Sequence, residues 1–349
     1  MRILYRADGG HPIGTGHLFR ALRILDRITQ LGGVDVILAV SDEAAPRKIL
    51  QNASFKIEWL PPRTDLESIK PHFKFDSIAN IVEELRPDVV VVDMLDTDAS
   101  EIKQITEKSI PVVTFDDRGD GRLLTSILIN ILVEEPYPPA LPTSVRLLQG
   151  GPYVTLSDEF ADESSVRIVP EPELAKRILV TMGGADAVGL NCKVAEALAP
   201  IREIERVEFV VGPAFQHQDQ LIAILEKAEW ESKILRSAPS LLPHYKAAEF
   251  GIIAGGLAMY EVCRCGLPSL FVPQPIDHQI ELSEIMRRAG AVAYVGPGTE
   301  ITSKDIRDCV ESVIGDQLAR TSMAANGVGI VDGRGTDRVA ESILSLVKE

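Results

Sequence analysis

The sequence predicts an α/β protein of two similar domains, each built on a parallel sheet, with the two sheets facing a central crevice. Three observations carry this. Apolar, strand-like runs alternate with helical stretches along almost all of the 349 residues, the pattern of parallel strands joined by crossover helices. The alternation breaks once, over 134–175, where Pro, Glu, Asp and Ser crowd together as they do in connections between domains. Each half also opens in the same way, with a strand, a glycine turn and a helix. The chain is long for one core and comfortable for two. Its aromatic content of 5% leaves the interior to Leu, Ile, Val and Ala, as in sheets buried on both faces.

In the first half the expected strands are 1–5, 34–40, 56–60, 89–92, 110–115 and 126–132. Helices are expected over 18–31, 43–51, 78–85 and 99–108, and 66–75 reads as a proline-bounded loop. After the connection, strands are expected at 177–182, 207–211, 250–253, 269–272 and 291–295, with helices at 190–199, 261–265 and 278–289. Three closing helices follow at 303–314, 317–326 and 336–348. The expected division is 1–160 for the first Rossmann-like domain, 161–175 for the linker and 176–349 for the second. The last helix is expected to pack back on the first domain.

Charge and composition narrow the partners. The formal charge is −15, from 36 Lys and Arg against 51 Asp and Glu, so nucleic acid and anionic membranes are repelled. No charged leader with an apolar stretch and cleavage site stands at the N-terminus, and no window reaches a membrane span. The four cysteines, Cys192, Cys263, Cys265 and Cys309, show no C-x-x-C spacing, which fits reduced structural thiols in a cytoplasmic protein. No metal site and no cofactor is expected.

The stretch 6–20, RADGGHPIGTGHLFR, joins the first strand to the first helix. Its glycines, and the helix N-terminus behind them, sit at the carboxyl edge of a parallel sheet, where open α/β sheets bind ligands and anions. Gly14, Thr15, Gly16 and Arg20 are expected to face substrate. His17 stands where the helix begins, and a neutral imidazole there suits a general base; a tight turn with a packing histidine is the plain alternative. The pattern is not a dinucleotide fingerprint, because Phe19 stands where the third glycine belongs. In the second half Gly183, Gly184 and Asp186 form a phosphate-sized turn, for which an ordinary strand-to-helix turn is an equal alternative. Gly255, Gly256 and Leu257 open a helix whose second turn carries Glu261. Backbone N–H groups there suit a diphosphate, and the carboxylate suits both hydroxyls of a ribose; a salt-bridged Glu261 is the alternative. His278 and Gln279 open the next helix on the crevice side.

At the level of motifs, AGGLAMYEVCRCGLPSLFVPQPIDHQIELSEIMRRAGAV resembles the UDP-binding segment of GT-B enzymes, especially the UDP-GlcNAc transferase of peptidoglycan lipid synthesis. RADGGHPIGTGHLFRAL, Phe115–Asp117, Asn130, GGPYVTLSDEF and MGGAD resemble the UDP-sugar hydrolase of pseudaminic acid synthesis and the SpsG-like spore-coat polysaccharide proteins, nearly end to end. The resemblance implies a GT-B fold and His17 activating water at the sugar's anomeric carbon. It also implies that Gly14 and Gly16 lie beneath the sugar and diphosphate, and that Gly255, Gly256 and Glu261 hold diphosphate and ribose. Asp93 is followed by Met94-Leu95 where the hydrolases have His-Tyr. His278-Gln279 stands for their Asn-Gln, and Ser157-Asp158 follows Leu156 where they have arginine. Asp93 and Leu95 are therefore expected near the sugar, and the nucleotide half of the resemblance is the better kept. The expected activity is hydrolysis of the C1–O bond of a nucleoside-diphosphate sugar, most simply UDP-linked. A GT-B glycosyltransferase using a hydroxyl acceptor and a non-catalytic sugar-nucleotide-binding protein are the alternatives.

Overall fold

A computed structural model describes residues 1–9, 15–62, 76–132, 139–167, 171–184, 186–212, 215–236 and 238–346. Gly14 and the expected loop 66–75 lie outside the described residues. The chain forms two compact units, Met1–Ser157 with Arg334–Glu349, and Asp158–Gly333.

The first unit alternates strand and helix: β1 (Arg2–Ala7), α1 (Gly16–Leu31), β2 (Asp35–Ser41), α2 (Ala44–Ile49), β3 (Lys56–Leu60), α3 (Asp76–Leu85), β4 (Val89–Asp93), α4 (Ala99–Thr106), β5 (Val112–Phe115), β6 (Ile127–Asn130) and β7 (Arg146–Gln149). All strands run parallel in the order β3-β2-β1-β4-β5-β6-β7. The order reverses direction between β1 and β4, so a crevice opens beyond their carboxyl ends. β4 is VVVVD, buried throughout, because a central parallel strand has helices on both faces. On α1, Leu18, Ala21, Ile24, Leu25 and Ile28 are buried, spaced to form one stripe of a 3.6-residue helix.

The second unit holds β8 (Arg177–Thr181), α5 (Leu190–Leu198), β9 (Arg206–Val211), α6 (Gln218–Leu225), β10 (Glu231–Arg236), α7 (Leu242–Ala247), β11 (Phe250–Ile253), α8 (Leu257–Cys265), β12 (Ser269–Phe271), α9 (Asp277–Arg288), β13 (Ala293–Tyr294), α10 (Ser303–Gly315) and α11 (Gln317–Ile330). Its parallel sheet runs β10-β9-β8-β11-β12-β13, reversing between β8 and β11. The chain then re-enters the first unit, where α12 (Gly335–Ser345) packs against α1 and Arg27 Nε meets Asp337 Oδ1 at 2.6 Å.

Three differences from the sequence reading have physical causes. β7 lies inside the proline-rich stretch; it is an outer strand with Arg146 and Leu147 exposed, so its pattern lacks a buried run. β10 is also outermost and mostly exposed, and no apolar signal marked it. α11 continues past Asn326 through Gly327, where a Cβ would stand 3.1 Å from the Cys263 Cα; glycine there permits close approach to α8. The stretch expected as a linker is packed onto the second unit. Arg167 bonds Glu171 at 2.9 Å and the Gly266 carbonyl at 2.9 Å, and Ala175 is buried in that unit's core.

Among the described residues no helix is long and apolar enough to cross a membrane. Ile252, fully buried in β11, supplies a test of the second unit alone, because one of the two tryptophans, Trp230, is buried in that unit's core. In a Trp59→Phe background, Ile252→Ala is expected to destabilise the unit by about 2–5 kcal/mol. The check is a lower denaturant midpoint of Trp230 fluorescence at unchanged slope.

Candidate active site

His17 lies in the first turn of α1. Thr15 is the N-cap, without a side-chain cap bond, and Gly16 is exposed with open space where a Cβ would be. The imidazole is held from behind. Its Nδ1 lies 2.7 Å from Asp93 Oδ1, at the carboxyl end of β4. A carboxylate can only accept, so Nδ1 carries the hydrogen, and in the neutral ring the lone pair is then on Nε2. The Arg20 guanidinium comes within 3.2 Å of Nδ1, a contact that the same assignment leaves without a hydrogen bond. The His17 side chain remains 14% exposed while that of Asp93 is wholly buried, so the ring is reachable and its partner is not.

Asp93 is the hub of a buried cluster. Arg20 Nε donates to Oδ2 at 2.7 Å and the Arg20 terminal nitrogen donates to Oδ1, a forked pair. Tyr5 Oη donates to Oδ2 at 2.8 Å from β1. The other Arg20 nitrogen donates to Asp116 Oδ2 at 2.7 Å, and the guanidinium stacks 4.6 Å from the centre of the Phe115 ring. Burial pulls the Asp93 carboxyl up, but the Arg20 charge and the hydrogen bonds from His17 and Arg20 outweigh it and hold the carboxyl well below its usual range. Burial, and then Asp93, push the Tyr5 hydroxyl well above its ordinary value, so it stays a donor. Burial opposes the Arg20 charge, yet Asp93 and Asp116 keep its affinity for the proton raised.

Asp93 and Arg20 were expected on substrate. In the structure each is buried, and they are hydrogen-bonded to one another, His17, Tyr5 and Asp116. The sequence reading missed Tyr5 and gave Asp116 no role. Asp116 adopts φ +48°, a conformation that a non-glycine residue seldom holds without cause. There its Oδ1 accepts from the Ile131 and Leu132 N–H groups, each at 2.7 Å.

Asp117 ties down the loop after β4. It accepts from Thr97 N and Gly119 N, each at 2.9 Å, while Arg118 N donates to the Leu95 carbonyl at 2.8 Å. Leu95 is thus a half-buried residue two positions beyond Asp93, on a loop stapled to the one after β5.

In the second unit the two glycine turns differ. Gly183 and Gly184 are exposed after β8, and Gly183 has φ +83°. Asp186, however, is buried, and its carboxylate accepts from Leu190 N at 2.7 Å, Asn191 N at 2.8 Å, Asn191 Nδ2 at 2.8 Å and Gln274 Nε2 at 3.0 Å. The chain's own carboxylate therefore occupies the N-terminus of α5, where Asp186 caps the first N–H groups. α8 contrasts with it. Its N-cap Gly256 has φ +72°, with open space where a Cβ would be, no side-chain cap and no acidic residue in the first turn. Leu257 and Gly255 beside it are half-buried, as are His278 and Gln279 at the start of α9, and a Cβ on Gly255 would meet Gln279 Oε1 at 2.0 Å. Glu261 lies one turn into α8, where Tyr245 Oη, which no sequence signal marked, donates to its Oε2 at 3.0 Å. Among the described residues no group of three or more His, Cys, Asp or Glu side chains is arranged for a metal ion.

Two parallel-sheet Rossmann-like domains, each with its site elements at the strand-order reversal, define the GT-B architecture. Among solved structures, MurG of Acinetobacter baumannii matches with a TM-score of 0.73 at 18% identity, over 99% of each chain. In sequence, the spore coat polysaccharide biosynthesis protein SpsG of Bacillus subtilis is 24% identical over 348 residues, 98% of each chain. The UDP-N-acetylglucosamine–N-acetylmuramyl-(pentapeptide) pyrophosphoryl-undecaprenol N-acetylglucosamine transferase of Latilactobacillus sakei is 21% identical, over 95% of this chain and 98% of its own. No family model matches the chain. The chain is thus similar over nearly its whole length to a spore coat polysaccharide biosynthesis protein, and its fold is the GT-B fold of MurG.

Burial lifts Asp117 to about 6, against hydrogen bonds from Thr97 and Gly119 that lower it. An acid whose folded value lies above its unfolded one binds more protons when folded, so its contribution to stability falls as pH rises between about 4 and 6. Asp117→Asn is expected to remove that slope, on the order of 2 kcal/mol across the window. Denaturant midpoints of both proteins at pH 4 and pH 7 check this.

Proposed function

We propose that the protein transfers a sugar from a nucleoside diphosphate, most simply UDP, to a hydroxyl acceptor, with His17 as general base. The observation that carries this reading is the His17–Asp93 contact of 2.7 Å at the strand-order reversal. It fixes the imidazole with Nε2 as lone-pair donor and places a buried carboxylate behind the charge that develops. The acceptor oxygen attacks the anomeric carbon and its proton passes to Nε2. The C1–O bond to the diphosphate breaks, and UDP departs with that electron pair, so the centre inverts.

The nucleotide reading rests on α8. Its open N-terminus supports a diphosphate held by backbone N–H groups and the helix dipole, with Glu261, steadied by Tyr245, accepting from the ribose hydroxyls. Gly183 and Gly184 remain candidates for close backbone approach, and α5 is left out because Asp186 occupies it. Gly14, Thr15 and Gly16 are assigned to the sugar side of the loop before His17, with Leu95 beside Asp93. His278 and Gln279 are assigned to the α8 side. A hydroxyl acceptor is preferred over water because relatives similar in sequence are named as transferases. The SpsG match supports a setting in surface polysaccharide synthesis.

The test is UDP release from a panel of UDP-sugars, followed by phosphorus NMR with and without saccharide acceptors, alongside calorimetric binding of UDP. Release that requires an acceptor is expected. Release in buffer alone would show hydrolysis, and UDP-sugar binding without release would show a binding protein. His17→Ala is expected to lower kcat by roughly 10²–10⁴ with UDP affinity unchanged, while Glu261→Ala weakens UDP itself. Full turnover in His17→Ala would refute the assigned base.

A further inference from the structure

We propose that Arg20 is a positioning residue that sets the tautomer of His17, by keeping Asp93 ionised and aimed at Nδ1. This rests on the reading of His17 as the base. Among the described residues, the groups around the imidazole are Asp93 from β4, Arg20 from α1, Tyr5 from β1 and, behind Arg20, Asp116 at the end of β5. Of these only Arg20 brings a positive charge to Asp93 while His17 waits neutral for a proton. Tyr5 offers a hydroxyl and Asp116 a second negative charge.

A carboxylate with no solvent exposure is tolerated only when paired and hydrogen-bonded. Arg20 does this with a fork, Nε on one oxygen of Asp93 and a terminal nitrogen on the other, while its third nitrogen reaches Asp116. Asp116 is itself pinned by two backbone N–H groups, so the guanidinium has one place to sit. Lysine has the charge without the fork.

Removal of that charge has a defined chemical consequence. Burial then dominates and Asp93 takes up a proton. A protonated Asp93 donates where the ionised one accepted, so Nδ1 becomes the acceptor and the hydrogen moves to Nε2. Nε2 is the atom that must receive the acceptor's proton. A histidine in that tautomer keeps its place in the structure and loses its function.

The experiment is nitrogen-15 NMR of the histidine ring nitrogens at neutral pH without substrate, His17 being identified by the signal lost in His17→Ala. The unaltered protein is expected to show hydrogen on Nδ1. Arg20→Met, which keeps a stem against Phe115, is expected to show hydrogen on Nε2. Its kcat should fall by roughly tenfold or more, within the 10²–10⁴ that a general base supplies, at nearly constant KM. Arg20→Lys is expected to show a mixture of tautomers and an intermediate kcat. The unaltered ring pattern in either variant, with amide spectra showing it folded, would overturn the proposal, so failure of one variant to fold leaves the other to decide. The ring measurement needs no turnover. A protein inert to every sugar nucleotide would refute the transfer reading alone, and an unmoved tautomer would refute this inference alone.

Discussion

The buried ion pair between Arg20 and Asp93 is the interaction on which the rest of the first unit's site depends. It joins α1 to the end of β4 and reaches β5 through Asp116. Three consecutive sheet neighbours, β1, β4 and β5, thus place Tyr5, Asp93 and Asp116 around one guanidinium. A buried pair of this kind contributes little net stability, because desolvation offsets the attraction. What it supplies is specificity of geometry. The carboxylate cannot turn away from His17 without breaking the fork or losing the Tyr5 hydrogen bond.

Both units apply the same sheet topology to different chemistry. In each, the strand order reverses beside the first strand, and glycines follow at the carboxyl edge. What decides the use of each helix N-terminus is whether the chain fills it. α5 is filled by Asp186, which satisfies two backbone N–H groups. α8 begins at Gly256 without a side-chain cap and without an acidic residue in its first turn, which favours the proposal of an anion there.

The central strands and their helices were legible because burial on both faces writes long apolar runs, as in Val89–Asp93. β7 and β10 were not, since an outer strand with exposed side chains carries no such run. The places of His17 at the start of α1 and of Gly255–Glu261 at the start of α8 were legible, because each follows a strand run and precedes a helical one. The part played by Asp93 and Arg20 was not, because a charged residue in sequence does not show whether it faces solvent or another charge. Their pairing spans 73 positions and exists only once β1 and β4 lie side by side. The bonding of Asp186 to the start of α5 was hidden for the same reason: a glycine turn with an acidic residue looks alike whether the carboxylate meets a ligand or caps its own helix.

The most direct test of this account is a double-mutant cycle on sugar transfer, comparing kcat for His17→Ala, Asp93→Asn and the two combined. If Asp93 acts only through His17, each single change is expected to cause a large loss, and the double variant to be no slower than His17→Ala alone. Losses that multiply in the double variant would show that the two residues act independently, and would contradict the account.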